Sequence, residues 1–230
     1  MKESESVFVD PSEQIELYYI NDSNSSSISI GSSATSNSNS VLIYNYFVFD
    51  IKDGTLFVMC SFHNRGIHVY GSKEFCMTLL TDSDVMCLKK LSKKNIFYSG
   101  HKNGMIYVWE YQDFDKNEDF KAKVMYEFIA HEGGVKVINY SDKHDLLLSC
   151  GEEGKLMLRK MSTYELISII STQNVKDVFV HAVISEVDVI YAQVYNQTKQ
   201  KFALYGYTFN GLLFERTSHK KFLPIDIARY

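Results

Sequence analysis

Histidine and cysteine are the side chains of this sequence that could bind a metal or attack a substrate, and the chain has seven histidines and four cysteines. The cysteines all lie inside apolar runs, and no two have the Cys-x-x-Cys spacing of metal and redox sites. His63, His101 and His131 fall at turns or at the starts of apolar segments, and no carboxylate or cysteine nearby completes a ligand set. The pattern predicts no metal and no other cofactor.

The sequence also lacks the motifs that position a catalytic nucleophile or a phosphate group. It has no Gly-x-Gly-x-x-Gly, no Gly-Lys-Ser/Thr loop and no Gly-x-Ser-x-Gly elbow. The segment Asp142-Lys-His-Asp145 brings acids and a histidine together, but it lies between two apolar segments, where a polar hairpin turn is required. We therefore predict that the chain is not an enzyme.

Composition narrows the class of protein and its partners. The chain has 230 residues, of which 45% are hydrophobic and 14% aromatic, and this content excludes disorder over most of its length. A net charge of −4 gives no field that would hold nucleic acid. The N-terminus has no apolar leader, and no apolar run is long enough to span a membrane. These features predict a cytoplasmic protein with at most peripheral membrane association.

The chain after Val41 is built from short apolar segments that end in polar or glycine turns, and these segments fall into four sets of four. The sets cover residues 41–80, 81–129, 130–170 and 171–216. A repeat of about 40 to 50 residues without helical periodicity is typical of propeller blades. We predict an all-β, WD-repeat-type β-propeller of about four blades. Residues 1–20 are expected to give a short strand, residues 21–40 a Ser/Asn-rich disordered loop, and residues 217–230 the start of a further blade.

One blade resembles a WD repeat in its residues. The stretch from Ser99 to Trp109 (SGHKNGMIYVW) is similar to the second and third strands of such a repeat, and Ala130-His131 is similar to its Gly-His dipeptide. The resemblance implies hydrogen bonds within a blade between a histidine, a Ser or Thr, an acidic turn residue and a tryptophan. The corresponding residues are His131, Ser149 and Glu153, with Arg159 in the tryptophan place, and, in the preceding blade, Ser99, Asn103 and Trp109.

The order of the blades resembles, more narrowly, the C-terminal propeller of BEACH-domain, neurobeachin-like proteins. The segments that carry this resemblance are Leu56 to Tyr70 (LFVMCSFHNRGIHVY) and Leu204 to Leu213 (LYGYTFNGLL). It implies a non-enzymatic scaffold for other proteins, including an adjacent BEACH domain, that acts in vesicle trafficking or membrane organisation. A generic WD adaptor in a ubiquitin-ligase or signalling complex is the alternative, and a propeller enzyme with a metal in its central channel is the third.

Loops on a rigid scaffold commonly carry recognition, so we expect the partner to bind at one rim of the propeller. The predicted rim residues lie in the turns between second and third strands and in the links between blades: His63, Arg65, Asp82, Asp84, His101, Lys102, Glu132 and Glu152. Four blades do not close a ring of about seven, and an open ring exposes unpaired strand edges. The chain is therefore predicted to be part of a larger protein.

Overall fold

The computed structural model describes residues 65–69, 77–91, 94–112 and 121–217 in full and several further strands by their backbone pairing alone. Three of these strands, β1 (Tyr19–Asn21), β2 (Ile28–Ser29) and β3 (Ser40–Leu42), form a small sheet in the order β2-β1-β3. Most residues of the expected N-terminal segment, of the expected loop at 21–40 and of 217–230 lie outside the described part. Within that part, no helix is long and apolar enough to cross a membrane.

The other sixteen strands form four antiparallel sheets of four, each made of strands that are consecutive in the chain. We number these sheets as blades 1 to 4. Blade 1 comprises β4 (Asn45–Ile51), β5 (Thr55–Phe62), β6 (Gly66–Tyr70) and β7 (Phe75–Leu80), and blade 2 comprises β8 (Val85–Lys90), β9 (Ile96–His101), β10 (Met105–Tyr111) and β11 (Ala122–Ile129). Blade 3 comprises β12 (Val135–Ser141), β13 (Leu146–Gly151), β14 (Lys155–Lys160) and β15 (Leu166–Ser171), and blade 4 comprises β16 (Asp177–Ile184), β17 (Ile190–Asn196), β18 (Lys201–Tyr207) and β19 (Leu213–Arg216).

The blades pack face to face in chain order. The first strand of each blade contacts the first strand of the next, and β16 also packs on β13 and β14 of the preceding blade. Apolar clusters fill the spaces between blades 1 and 2, blades 2 and 3, and blades 3 and 4. This arrangement confirms the prediction of an all-β propeller, of which the described sheets form a part.

Position within a blade explains the character of each strand. Every residue of β13 is buried, because a second strand is covered on both faces by neighbouring blades, and its sequence is correspondingly apolar (LLLSCG). The outer strand β11 is exposed at six of its eight residues and carries charges and aromatic rings. The hydrophobic residues of the sequence therefore lie mainly on the inner strands of the blades, which neighbouring blades cover.

The hairpins between second and third strands share one backbone feature. Gly104 and Gly154 have φ values of 83° and 75°, and each lies five residues before the tryptophan place of its blade. Arg65 and Gln200, with φ values of 61° and 49°, lie five residues before Tyr70 and Tyr205. Blade 1 also has a glycine beside this turn, but Gly66 begins β6 and the left-handed residue is Arg65. The left-handed residue of the turn is therefore fixed by its distance of five residues from the tryptophan place and not by being glycine.

Candidate functional site

A buried hydrogen-bond chain runs through blade 2. The indole Nε1–H of Trp109 donates to Ser99 Oγ at 2.8 Å, and Ser99 Oγ lies 2.7 Å from His101 Nε2. His101 Nδ1 lies 3.2 Å from the carbonyl oxygen of Ser83, which can only accept. The imidazole is therefore protonated at Nδ1, and the Ser99 hydroxyl donates to Nε2. The chain of donors runs from Trp109 through Ser99 and His101 to the link between blades 1 and 2.

Blade 3 has His131 just before its first strand, whereas the residues before the first strand of blade 2 include no histidine. In blade 2 the histidine that bonds the serine is His101, on the second strand. It lies two residues after Ser99 on the same strand, so both side chains point to one face of the sheet. The prediction that His101 belongs to the exposed rim was wrong, because its side chain is fully buried beneath the Ser83 carbonyl. Asn103 was predicted to join the network, but it is exposed, and its Oδ1 accepts from the backbone N–H of Met105 within the turn.

Blade 3 contains the related set His131, Ser149 and Glu153. His131 Nε2 lies 2.8 Å from Ser149 Oγ, and His131 Nδ1 is hydrogen-bonded to Glu153 Oε1. Arg159 occupies the tryptophan place but turns away, donating to the carbonyl oxygens of Tyr164 (3.0 Å) and Ile129 (3.3 Å). Three of the four positions of a WD-type set are therefore joined in this blade.

Ser149, His131 and Glu153 are linked in the order of the catalytic triad of acyl-transfer enzymes. Such a triad can act only if a substrate reaches the serine hydroxyl. Ser149 is 2% exposed and the His131 side chain is completely buried, which leaves no room for a substrate carbonyl at Oγ. Burial raises the pKa of the Cys87 and Cys150 thiols to about 12, so neither supplies a thiolate near neutral pH. Among the described residues, no group of three His, Cys, Asp or Glu side chains could hold a metal.

The two buried imidazoles predict a loss of stability in mild acid. Desolvation lowers the pKa of His131 and His101 below the ordinary value of 6.5. Below that value the unfolded chain binds protons that the folded chain does not, so the free energy of unfolding falls with falling pH. We expect urea midpoints to decrease between about pH 7 and pH 5, and the slope to flatten in a His101→Gln/His131→Gln variant. An unchanged slope in that variant would contradict the prediction.

Replacing Ser99 by alanine is expected to destabilise blade 2. The variant leaves Trp109 Nε1–H without its acceptor and His101 Nε2 without its donor, both in a buried place. The expected loss is about 1–3 kcal/mol of unfolding free energy, measured by urea denaturation. Ser149→Ala is the matched control. The Ser149 hydroxyl is hydrogen-bonded to His131 in the same way, but blade 3 has Arg159 in the tryptophan place, so no indole loses its acceptor. An equal loss in both variants would show that the tryptophan bond adds nothing.

A third buried network, which no motif of the sequence indicates, lies in blade 4. Asp177, with its side chain 1% exposed, accepts from Tyr205 Oη–H at 2.8 Å and from Asn196 Nδ2 at 2.5 Å. The Arg216 guanidinium lies 4.0 Å from the same carboxylate and stacks 4.9 Å from the Tyr205 ring. Tyr205 occupies the tryptophan place, and burial beside Asp177 raises its pKa to about 12. Tyr205 lies five residues after Gln200, as Trp109 lies five residues after Gly104.

The predicted rim residues of blades 1 and 2 lie in neighbouring turns. Arg65 and Asp82 are exposed, and Lys102 Nζ lies 3.5 Å from Asp84 Oδ2. The backbone N–H of Lys102 also donates to the Asp84 carbonyl at 2.9 Å, which joins the β9–β10 hairpin to the link between the blades. His63 lies outside the described residues.

The rim continues onto blade 3 in the same manner. Glu152 Oε2 accepts from the backbone N–H of Gly134 at 3.2 Å, and the backbone N–H of Glu152 donates to the Gly134 carbonyl at 2.9 Å. Glu132 is exposed, with Lys155 Nζ 3.8 Å from its carboxylate. We define the rim surface as the six described rim residues that reach solvent: Arg65, Asp82, Asp84, Lys102, Glu132 and Glu152.

Comparison with known proteins agrees with this architecture. The chain is 11% identical to the Saccharomyces cerevisiae protein Sqt1 (TM-score 0.60) and 16% identical to the WD40 β-propeller domain of Doa1 (TM-score 0.56). It covers 48% and 55% of those solved chains, which in turn match 76% and 79% of this one. The chain thus spans about half the length of these solved propellers.

Sequence comparison identifies the type of propeller. A curated relative, the type I inositol polyphosphate 5-phosphatase 13 of Arabidopsis thaliana, is 33% identical over 92 residues, which are 37% of this chain and 8% of the relative. These matches do not support the narrower resemblance to BEACH-type propellers. The model of the IP5P C-F beta-propeller family matches residues 72–197, more than half of the chain. The chain therefore belongs to the IP5P C-F beta-propeller family.

Proposed function

We propose that this chain is a non-catalytic recognition module whose rim surface binds a partner protein. The observation that carries the proposal is that the exposed charges of the rim stand on turns that backbone hydrogen bonds tie to the links between blades, at Lys102 to Asp84 and at Glu152 to Gly134. Such turns present their side chains without a large ordering cost on binding. The buried Ser149–His131–Glu153 set supports the same conclusion, because its groups serve the blade and are closed to a substrate.

Charge at the rim surface favours a basic partner. Four of its six residues are acidic (Asp82, Asp84, Glu132 and Glu152), and two are basic (Arg65 and Lys102). This excess of negative charge repels phosphate groups and attracts Lys- and Arg-rich protein surfaces. The partner that fits best is a basic protein segment.

We propose that this recognition serves inositol polyphosphate metabolism, which the family match and the curated relative support. The curated relative is a 5-phosphatase, and the chain spans 8% of that protein, so phosphatase activity is not proposed for the chain itself. We propose instead that the propeller recruits a partner for a phosphatase of that class. A cytoplasmic location is part of this proposal. Vesicle trafficking and a BEACH partner are not, since the family match and the curated relative do not favour them.

The test is a comparison of two charge reversals with equal change in net charge. Glu132→Lys alters the rim surface, and Glu186→Lys alters an exposed turn between β16 and β17. Proteins captured by the immobilised chain are identified, and each is then purified and titrated against both variants at low and physiological salt. We expect a basic partner to bind about tenfold more weakly to Glu132→Lys, with full binding to Glu186→Lys and a loss of affinity at higher salt.

Two results would contradict the proposal. Equal binding of every captured protein to both variants would remove the rim surface as the site. Release of phosphate from an inositol polyphosphate by the purified chain, above the buffer rate, would show that the chain is an enzyme. The second assay is run on the same preparation, so that both functions are judged on protein of the same folded state.

A further inference from the structure

The outer strand of blade 2 carries aromatic side chains that point toward blade 3. Two residues of β11 lie opposite members of the apolar cluster between blades 2 and 3: Tyr126 opposite Val108, and Phe128 opposite Ile106. Directly opposed residues of an antiparallel pair project from the same face of the sheet, so Tyr126 and Phe128 are on the blade 3 side. Tyr126 is nevertheless 48% exposed, because it lies at the outer margin of that interface.

Blade 3 continues this surface on its third and fourth strands. Arg159, in the tryptophan place of β14, lies opposite Leu166 of β15, and Met157 lies opposite Ile169. The β-bulge of this strand pair falls at Ile167 of β15, so β14 alternates regularly, and Arg159 and Met157 share one face. Leu166 and Ile169 are therefore on the face of Arg159, and they are 45% and 50% exposed.

Tyr164, in the turn between β14 and β15, joins the two parts of this surface. Its ring stacks 4.8 Å from the Tyr126 ring, with an interplanar angle of 14°, and lies 5.4 Å from the Phe128 ring. Arg159 Cζ lies 5.0 Å from the centre of the Phe128 ring. We define the outer surface by the six residues that these contacts and pairings connect: Tyr126, Phe128, Arg159, Tyr164, Leu166 and Ile169.

Arg159 is the only charged residue of the outer surface, and its charge is not balanced within the described part of the chain. Its guanidinium donates to two carbonyl oxygens, those of Tyr164 and Ile129, and its buried Nε has no partner there. No ion pair between described residues includes it. Burial lowers the pKa of Arg159, but an arginine remains a cation near neutral pH. The outer surface therefore presents an uncompensated positive charge among apolar groups.

We propose that the outer surface binds an acidic, apolar segment of a partner protein, with a carboxylate of the segment paired to Arg159 and its apolar side chains on the rings of Tyr126 and Tyr164. A half-buried cation attracts a carboxylate more strongly than an exposed one, because water and salt screen it less. The planar guanidinium also matches the geometry of a carboxylate. The exposed rings supply apolar contact area with little loss of conformational freedom.

A single cation also limits which ligands fit. Inositol polyphosphates and nucleic acids carry several negative charges and are bound by groups of basic side chains. Lys160, the next residue of β14, is exposed on the other face of the sheet and adds no charge to the outer surface. One carboxylate among apolar side chains is therefore the best match. The outer surface shares no residue with the acidic rim surface, so the two sites select segments of opposite charge.

The test begins with a library of random peptides displayed on phage and selected on the immobilised chain. We expect enriched peptides in which Asp or Glu stands beside leucine or aromatic residues. One of these acidic peptides, labelled with fluorescein, is titrated by fluorescence anisotropy against Arg159→Gln and the matched control Lys160→Gln. We expect about tenfold weaker binding to Arg159→Gln and unchanged binding to Lys160→Gln. The rim variant Glu132→Lys is also expected to keep the acidic peptide, which separates this site from the rim surface.

A second variant supplies the carboxylate from the chain itself. Leu166→Glu introduces an acid directly opposite Arg159, where it can pair with the guanidinium and block the peptide. We expect about tenfold weaker peptide binding with an unchanged or higher urea midpoint. Val175→Glu is the matched control, because Val175 is 94% exposed and lies in the link between blades 3 and 4. It adds the same charge and is expected to leave peptide binding intact.

Three results would overturn the proposal. The first is a selection that enriches no acidic peptides. The second is equal peptide binding to the unaltered chain and to Leu166→Glu, a comparison that remains decisive even if Arg159→Gln lowers the urea midpoint. The third is a dimer, seen by light scattering, that Tyr126→Ser dissociates, because a second copy of the chain would then occupy the outer surface.

Discussion

A Gly104→Ala variant is expected to lose about 3 kcal/mol or more of unfolding free energy. Gly104 has a φ of 83°, which costs an L-residue about 1–2 kcal/mol. A Cβ at this position would also lie 2.0 Å from the carbonyl oxygen of His131, in the link between blades 2 and 3. The Gly104 carbonyl accepts the backbone N–H groups of Ala130 (2.9 Å) and His131 (3.1 Å), so the link cannot move away without breaking these bonds.

Gly154→Ala separates the two causes. Gly154 has a similar φ of 75°, but the nearest atom to its added Cβ is 3.7 Å away, so only the backbone strain remains. We expect a loss of about 1–2 kcal/mol for this variant. Urea unfolding can be followed by the fluorescence of Trp109, the only tryptophan of the chain. Equal losses in both variants would show that the clash of the added Cβ with the His131 carbonyl costs nothing, so that the link between blades 2 and 3 can move aside.

The strands could be predicted from the sequence because each one is a short apolar segment between turn residues. The apolar stretch from Met105 to Tyr111 forms β10, and the stretch from Ile96 to Ser99 forms most of β9. Packing of the blades face to face follows from the four-strand period. The left-handed conformation of Arg65 could not be predicted in the same way, since glycine is the usual residue there and Gly66 follows it directly.

The hydrogen-bond networks were predicted only where they follow a known motif. His131 and Ser149 match the WD pattern and are joined in the structure. The role of His101 in the network was not predicted, because the WD pattern has its histidine before the first strand. The structure shows that His101, two residues after Ser99 on the second strand, makes the bond to the Ser99 hydroxyl instead. The network around Asp177 was not predicted at all. A carboxylate at the start of a strand is usually solvated, and the partners of Asp177 are 19 and 28 residues away in the chain.

An Asp177→Ala variant is expected to destabilise blade 4 by about 3–5 kcal/mol. The substitution removes the acceptor of Tyr205 Oη–H and Asn196 Nδ2, and both donors are buried. It also removes the carboxylate beside the Arg216 guanidinium. Tyr205→Phe removes one of these bonds and keeps the carboxylate, so we expect a smaller loss of about 1–1.5 kcal/mol.

Glu215→Ala is the matched control, because Glu215 is an exposed carboxylate on β19 of the same blade. Removing an exposed charge changes stability little, so the urea midpoint is expected to stay close to that of the unaltered chain. If Asp177→Ala were as mild as Glu215→Ala, the buried carboxylate would be dispensable, and the apolar cluster between blades 3 and 4 would hold blade 4 by itself. A large loss in Asp177→Ala alone would show that this propeller replaces the WD-type set with a carboxylate-centred one.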